Sequence, residues 1–541
     1  MFSAGVPRWF AVLGLLLGIA YALLMGPLRV PDETGHMYRS YLVSQGSCKG
    51  VPAIGAPIDY RRDLARLYPW IQLPPNSTGQ DLIKLIDPAH GRSRDLISIF
   101  YITNIYSCAP YLPQGIAFRL GRFFDASPLT LMYIGRLANL LCYLLLVLLA
   151  MYLLPQFELP IAVLALMPMS LHQAASLSGD SFAIGFSFAL AAWLLSLAFD
   201  DPSRPLLRRQ YLLLAAAMLL AGLCKSNAGL ALLLLLIPAA RFPSRRARWL
   251  TIAGCAALAY GTAALWQIIN QPNTEIYSTM KLVWGVDLHE NAMAIFLNPL
   301  HFLHMFFRTI AWTTGKYMEQ FIGVLGWLSI HLPRWCIVGY WILIAAVALA
   351  TPAVPQLRPR ARLILAATYF LNAALLLTAF WTTETPHKFP DLYVIVIHGR
   401  YLIPFALPLL IAGAGLAPRV RLLAPITLAF ALAVNLTALQ LVWNTYDAHT
   451  STLANRVRMA AHLNFKAGPE TAAQRYDSLL VRRPGDTPED TKTYVVEGGH
   501  KHLILDGRWF PAHGYAWPDD VNLIPAPDLA AIPEGAPIQT P

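Results

Sequence analysis

Along the chain, long apolar runs alternate with short polar breaks. Trp9 to Leu28 carries no charge at all. Similar runs lie near 129–153, 158–177, 181–199, 210–224, 226–240, 249–269, 336–352, 361–381, 401–417 and 422–443. A helix of roughly 20 apolar residues crosses a bilayer core, so the pattern predicts about eleven spans. Residues 210–240 admit two readings, one long tilted helix or two short spans meeting at the polar "CKSN" break. Most short-loop arginines sit in "DDPSRPLLRRQ", "RFPSRRARW", "TPAVPQLRPRAR" and "APRVR". Two short spans put all four loops on one side, as the positive-inside rule requires; one long helix does not. The hairpin reading therefore stands, with the N-terminus cytoplasmic.

Three segments then face outward, near 29–128, 270–335 and 382–400. In the second, "AMAIFLNPLHFLHMFFRTIAW" carries His301, His304 and Arg308 at helical spacing. It reads as an interfacial helix on the membrane surface, with a re-entrant pair as the alternative. Residues 446–541 form a polar C-terminal tail, expected outside. Within it "KTYVVEGG" and "KHLILDGRWF" read as two strands around a turn.

Composition agrees with this pattern. Of 541 residues, 56% are hydrophobic and 13% charged, where soluble domains carry about 25% charge. The first run is expected to be a retained span: its flank holds only Arg8, and no small-residue cleavage site follows. The net charge of +11 comes largely from short loops, so it reports topology before it reports nucleic acid. Cys142, Cys224, Cys255 and Cys336 lie in or beside apolar runs and read as packing residues. Cys48 and Cys108 share the first outer loop, where a disulfide is expected if that loop is periplasmic. No cysteine–histidine cluster suggests zinc.

Ionisable residues inside a membrane are costly and usually mark function or a paired structural site. Here the isolated ones gather at the outer side. Asp32, Glu33, His36 and Arg39 follow the first span. Arg136 lies about two turns into the second. His172 and Asp180 sit where the third and fourth meet, and Lys225 at the tip of the 210–240 hairpin. Glu384, His387, Lys388, His398 and Arg400 precede the tenth. Plainer readings stay open for several of them. "PDET" has the makings of an ordinary helix start, Arg136 of a headgroup anchor, Asp180 of a helix cap, His172 of a packing residue and Lys225 of a lipid phosphate anchor. The chemistry suited to the whole set is group transfer from a lipid phosphate. A carboxylate takes a proton from an acceptor hydroxyl, while arginine and lysine hold the departing phosphate. No P-loop or dinucleotide fingerprint is present.

"VPDETGHMYRSYLVSQG" resembles the opening block of a bacterial family of membrane proteins catalogued as domain of unknown function 2142 (DUF2142). "MPMSLHQAASLSGDSF", "GLCKSN", "LNPLHF", "FIGVLGWL" and "HGRYLIPFALP" are similar to later blocks of that family, in the same order. The resemblance spans roughly residues 10–445. The family's layout is similar to that of the GT-C membrane glycosyltransferases. This resemblance implies an all-α polytopic GT-C-like transmembrane domain (1–445) in the bacterial inner membrane, followed by the tail. It implies a polyprenyl-phosphate sugar as donor and a cell-envelope glycan or lipid as acceptor. Asp32 or Glu33 would be the base, with Asp180 assisting. His36, Arg39, Arg136, His172, Lys225 and Arg400 would bind substrate. A divalent metal is left open. The other readings are a flippase or transporter of lipid-linked glycans, which predicts polar residues at all depths, and a non-catalytic assembly partner.

Overall fold

The computed structural model describes residues 5–26, 29–50, 102–124, 126, 128–224, 227–283, 285–386, 397–446, 471–476, 480–483, 487–513, 521–524 and 526–538. The chain divides into two compact units, one built mainly on residues up to Thr445 and one that includes 446–541. The first is helical. Its helices are α1 (Val6–Leu24), α2 (Glu33–Ser44), α3 (Leu112–Phe123), α4 (Pro128–Leu153), α5 (Glu158–Ala165), α6 (Pro168–Ala174), α7 (Asp180–Phe199) and α8 (Arg208–Leu223). They continue with α9 (Arg245–Ile269), α10 (Gln271–Val283), α11 (Leu288–Leu297), α12 (Pro299–Ile322), α13 (Arg334–Ala350), α14 (Pro359–Glu384), α15 (Ile403–Ala412) and α16 (Leu423–Tyr446).

Among the described residues six helices are long and apolar enough to cross a membrane, or seven if the bent pair α5–α6 is one span. The protein is therefore a mostly helical membrane protein. Its exposed surfaces follow from that solvent. On α1, Phe10, Leu17 and Tyr21 are buried, while Trp9, Leu15 and Leu16 on the opposite face are exposed. In lipid an outward Leu costs nothing, and close packing must drive association. Gly14 and Gly18 serve that packing. A Cβ on either would lie 2.7 Å or less from Leu144 or Leu140 of α4. Helix α7 is the most enclosed of the six, with 78% of its apolar window buried.

The expected span at 158–177 is instead two helices bent by 82°. Pro168 lacks an N–H and biases Met167 towards extended backbone, where it is found. Inside a membrane such a break needs other partners for the freed carbonyls. They are supplied by Tyr340 to Val163, Ser170 to Leu164, Tyr143 to Ala165 and Asn435 to Leu166, all at 2.8–2.9 Å.

The hairpin at 210–240 is half α-helix. After α8 the chain continues as a 3-10 helix, Asn227–Leu236, packed against α7, α9 and α14. The segment 270–335 also departs from one interfacial helix. Pro299 splits it into α11 and α12, with Asn298 left non-helical between them. "FIGVLGWLSIHLP" turns into a short hairpin, β1 (Val324–Leu325) on β2 (Ile330–His331). Asn273 donates to the Gly50 carbonyl, Asn270 to that of Asn104, and Trp266 to that of Ile105, at 2.9–3.0 Å. These bonds fasten the α9–α10 corner to the loop carrying the Cys48–Cys108 disulfide.

In the second unit, β3 (Leu480–Arg482), β4 (Tyr494–Glu497), β5 (His500–Leu503) and β6 (Asn522–Leu523) form a sheet of order β5-β4-β3-β6. β4 and β5 are the expected strand pair, in register Tyr494↔Leu503 to Glu497↔His500. Alternation along the strands gives the sheet two apolar faces. Val481 and Val496 pack with Tyr476 and Leu529 on one, Leu480 and Val495 with Trp509 and Phe510 on the other.

Candidate functional site

Glu33 and Asp32 are neighbours with opposite surroundings. Glu33 opens α2 and is fully buried. Arg136 of α4 meets it in a two-pronged ion pair, Nε to Oε1 at 2.8 Å and Nη2 to Oε2 at 2.6 Å. The remaining Arg136 N–H groups donate to the carbonyls of Ala22, Met25 and Gly26 at the end of α1. Such carbonyls have no partner within their own helix. Glu33 Oε1 also accepts the Leu177 amide at 3.3 Å. One ion pair thus joins the end of α1, the start of α2, α4 and the turn before α7. A charge pair without water is tolerable only when satisfied this completely.

Asp32 is exposed and adopts the left-handed backbone region, φ 61° and ψ 11°. A non-glycine residue there is uncommon, and such strain concentrates at functional sites. It occupies the position before α2, yet its side chain makes no capping bond. A helix-start role therefore does not explain the carboxylate. It lies within electrostatic range of Arg400, as does Asp180.

Arg400 lies on the 3-10 turn Gly399–Leu402 before α15 and is 4% exposed. Its Nε is 3.4 Å from Asp180 Oδ2. Its ring neighbour is Tyr401, 5.1 Å from the guanidinium carbon. Nη2 donates to the Tyr401 hydroxyl at 3.3 Å, and Nη1 has no hydrogen-bond partner. Gly399 allows the placement: a Cβ there would lie 2.1 Å from the Tyr317 carbonyl oxygen of α12. His398, just before it, is driven down to about 3 by burial first and then by Arg400 and Lys316, against the opposing pull of Asp180. It is neutral at physiological pH, and its Nδ1 has no partner. His172 is buried beside Tyr21, bonded to Gln173 at 3.2 Å, with Nε2 unpartnered.

The remaining expected residues have bracing contacts. His36 Nδ1 is 2.8 Å from the Tyr111 hydroxyl. Arg39 donates to the carbonyls of Ser47, Cys48 and Tyr106, on both sides of the disulfide. Burial pushes Arg39 down to about 10, so it keeps its charge at neutral pH. Lys225, His387 and Lys388 lie outside the described residues. The structure thus pairs Asp180 with Arg400, sets Asp32 within electrostatic range of Arg400, and holds Glu33, Arg136, His36 and Arg39 in buried bracing contacts. Tyr111 and Tyr401 carry no sequence signal of their own, since an isolated tyrosine beside an apolar run looks like packing.

Among the described residues no group of three or more His, Cys, Asp or Glu side chains is placed to hold a metal ion. Asp32 is exposed, while Asp180 is buried against Arg400. The set can accept a proton at Asp32 and stabilise an anion at Arg400.

No curated protein and no solved structure matches the chain. The model of a family of predicted membrane proteins, DUF2142, matches residues 15–409, and the chain belongs to that family.

Proposed function

We propose that the protein is an inverting glycosyltransferase of the bacterial inner membrane. It moves a sugar from a polyprenyl-phosphate donor to an envelope glycan or lipid at the periplasmic face. In this reading the chain crosses about eleven times with a GT-C-like layout, the N-terminus inside and residues 446–541 outside. The acceptor hydroxyl attacks the anomeric carbon, and the carbon–oxygen bond to the phosphate breaks as the new one forms. Asp32 takes the hydroxyl proton. Arg400, aligned by Asp180, bears the charge on the departing lipid phosphate. Glu33 and Arg136 hold the Asp32 backbone.

The carrying observation is an exposed, left-handed Asp32 within electrostatic range of a buried Arg400, which pairs with Asp180 through Nε and leaves Nη1 without a partner. A flippase would need polar groups through the depth of the spans. The test is mass spectrometry of envelope glycans and lipid-linked sugars in wild type, a deletion and Asp32→Asn, with membrane levels matched. The expected result is one sugar missing in both mutant strains and its lipid-linked form accumulating. A deletion complemented fully by Asp32→Asn would leave the non-catalytic assembly reading in its place.

A further inference from the structure

Among the described residues, four buried polar atoms at positions 381, 385, 398 and 400 have neither a hydrogen-bond nor an ion-pair partner. They are Trp381 Nε1, Thr385 Oγ1, His398 Nδ1 and Arg400 Nη1. Buried polar groups are almost always paired, so each exception asks for an explanation. Trp381 and Thr385 are one turn apart at the outer end of α14, 3% exposed each. Trp381 shares a cluster with Tyr317, Ile397 and Tyr401. Tyr401 in turn stacks on Phe380 at 5.5 Å and meets the His398 ring at 5.5 Å. Trp381, His398 and Arg400 therefore border one aromatic wall, and Thr385 lies one helical turn beyond Trp381.

The chemistry of the atoms limits the ligand. An indole N–H and a guanidinium N–H only donate, so they need acceptors. A hydroxyl and a neutral imidazole both donate and accept, which suits hydroxyl groups. Aromatic faces are negative and attract the weakly positive C–H face of a pyranose ring. The ligand is rich in oxygen, bears an apolar face, and is anionic only at the Arg400 end.

We propose that Trp381, Thr385 and His398 form the subsite for the sugar ring of the glycosyl phosphate, with Arg400 at the sugar–phosphate junction. This rests on the transferase reading and names the residues that recognise the transferred group. Indole N–H and threonine hydroxyl bind ring oxygens, and the Tyr401 side of the wall covers the ring. No step of the transfer uses them as acid or base.

The test measures the glycan that disappears in the deletion strain, per molecule of protein in the membrane fraction. Trp381→Phe keeps a ring and removes the N–H. Thr385→Val keeps the shape and removes the hydroxyl. Each is expected to lower the glycan at least tenfold and to raise the lipid-linked donor, with melting of the full-length protein unchanged. Thr385→Ser, which keeps the hydroxyl, is expected to restore transfer. Wild-type glycan in Trp381→Phe and Thr385→Val, alongside its loss in Asp32→Asn, overturns the subsite and leaves the transferase standing. Thr385→Ser as defective as Thr385→Val also overturns it, because the hydroxyl is then not the contact. Wild-type glycan in Asp32→Asn removes the transferase reading and the subsite with it.

Discussion

Adjacent carboxylates in "PDET" have different work because their backbones point them differently. Glu33 faces inward to Arg136, and Asp32 outward. Glu33→Ala leaves the Arg136 charge buried and unpaired, a loss of about 3–5 kcal/mol. The expected outcome is lower melting and lower membrane abundance of the full-length protein, while Asp32→Asn keeps both. A Glu33→Ala protein that melts like wild type would dissolve the idea of a structural brace. The charged residues beside the apolar runs were legible in the sequence, since such charges stand out there. The division of labour was not: neighbouring acids look alike until the fold says which meets an arginine. His398 offers a pH readout. Its ordinary value is about 6.5 and burial beside Arg400 and Lys316 takes it to about 3, with Asp180 opposing. The unfolded chain then binds the proton first, so this contribution is complete above about pH 6.5 and declines towards about pH 3. Melting of His398→Gln is expected to fall less than wild type between pH 6.5 and 4. Equal slopes in the two proteins would remove His398 from the buried cluster.

Helices were the most legible elements, because length and hydropathy report them directly. α1, α7, α9, α14 and α16 coincide with expected runs to within a few residues. The 82° break at α5–α6 was hidden because its causes are scattered. One proline signals it, but the side chains that satisfy its carbonyls come from residues 143, 170, 340 and 435. The 3-10 course of 227–236 was equally hidden, as an apolar sequence does not declare its helical pitch. The loop after α2 depends on a covalent clip. Cys48 and Cys108 close 60 residues of sequence, and Arg39 holds the backbone on both sides. Cys48→Ser is expected to cost about 2–5 kcal/mol. Melting of the purified full-length protein with and without reductant measures it. A wild type unaffected by reductant would mean that the clip contributes nothing to stability.

At the scale of the molecule, the membrane unit is a frame that carries three charges on different elements. Asp32 comes from the start of α2, Asp180 from the start of α7, and Arg400 from the turn before α15. Their sequence separation hid the meeting of Asp180 and Arg400, while the place of all three beside the ends of apolar runs was visible in the sequence. The central claim is that this frame transfers a sugar with Asp32 as base. Its most direct test adds the purified full-length protein to membranes of the deletion strain, which hold donor and acceptor together. Mass spectrometry then follows the lipid-linked sugar with time. The expected result is that wild-type protein consumes it and the missing glycan appears, while Asp32→Asn leaves both unchanged. Consumption at the same rate by Asp32→Asn, or no consumption by wild type, would contradict the claim.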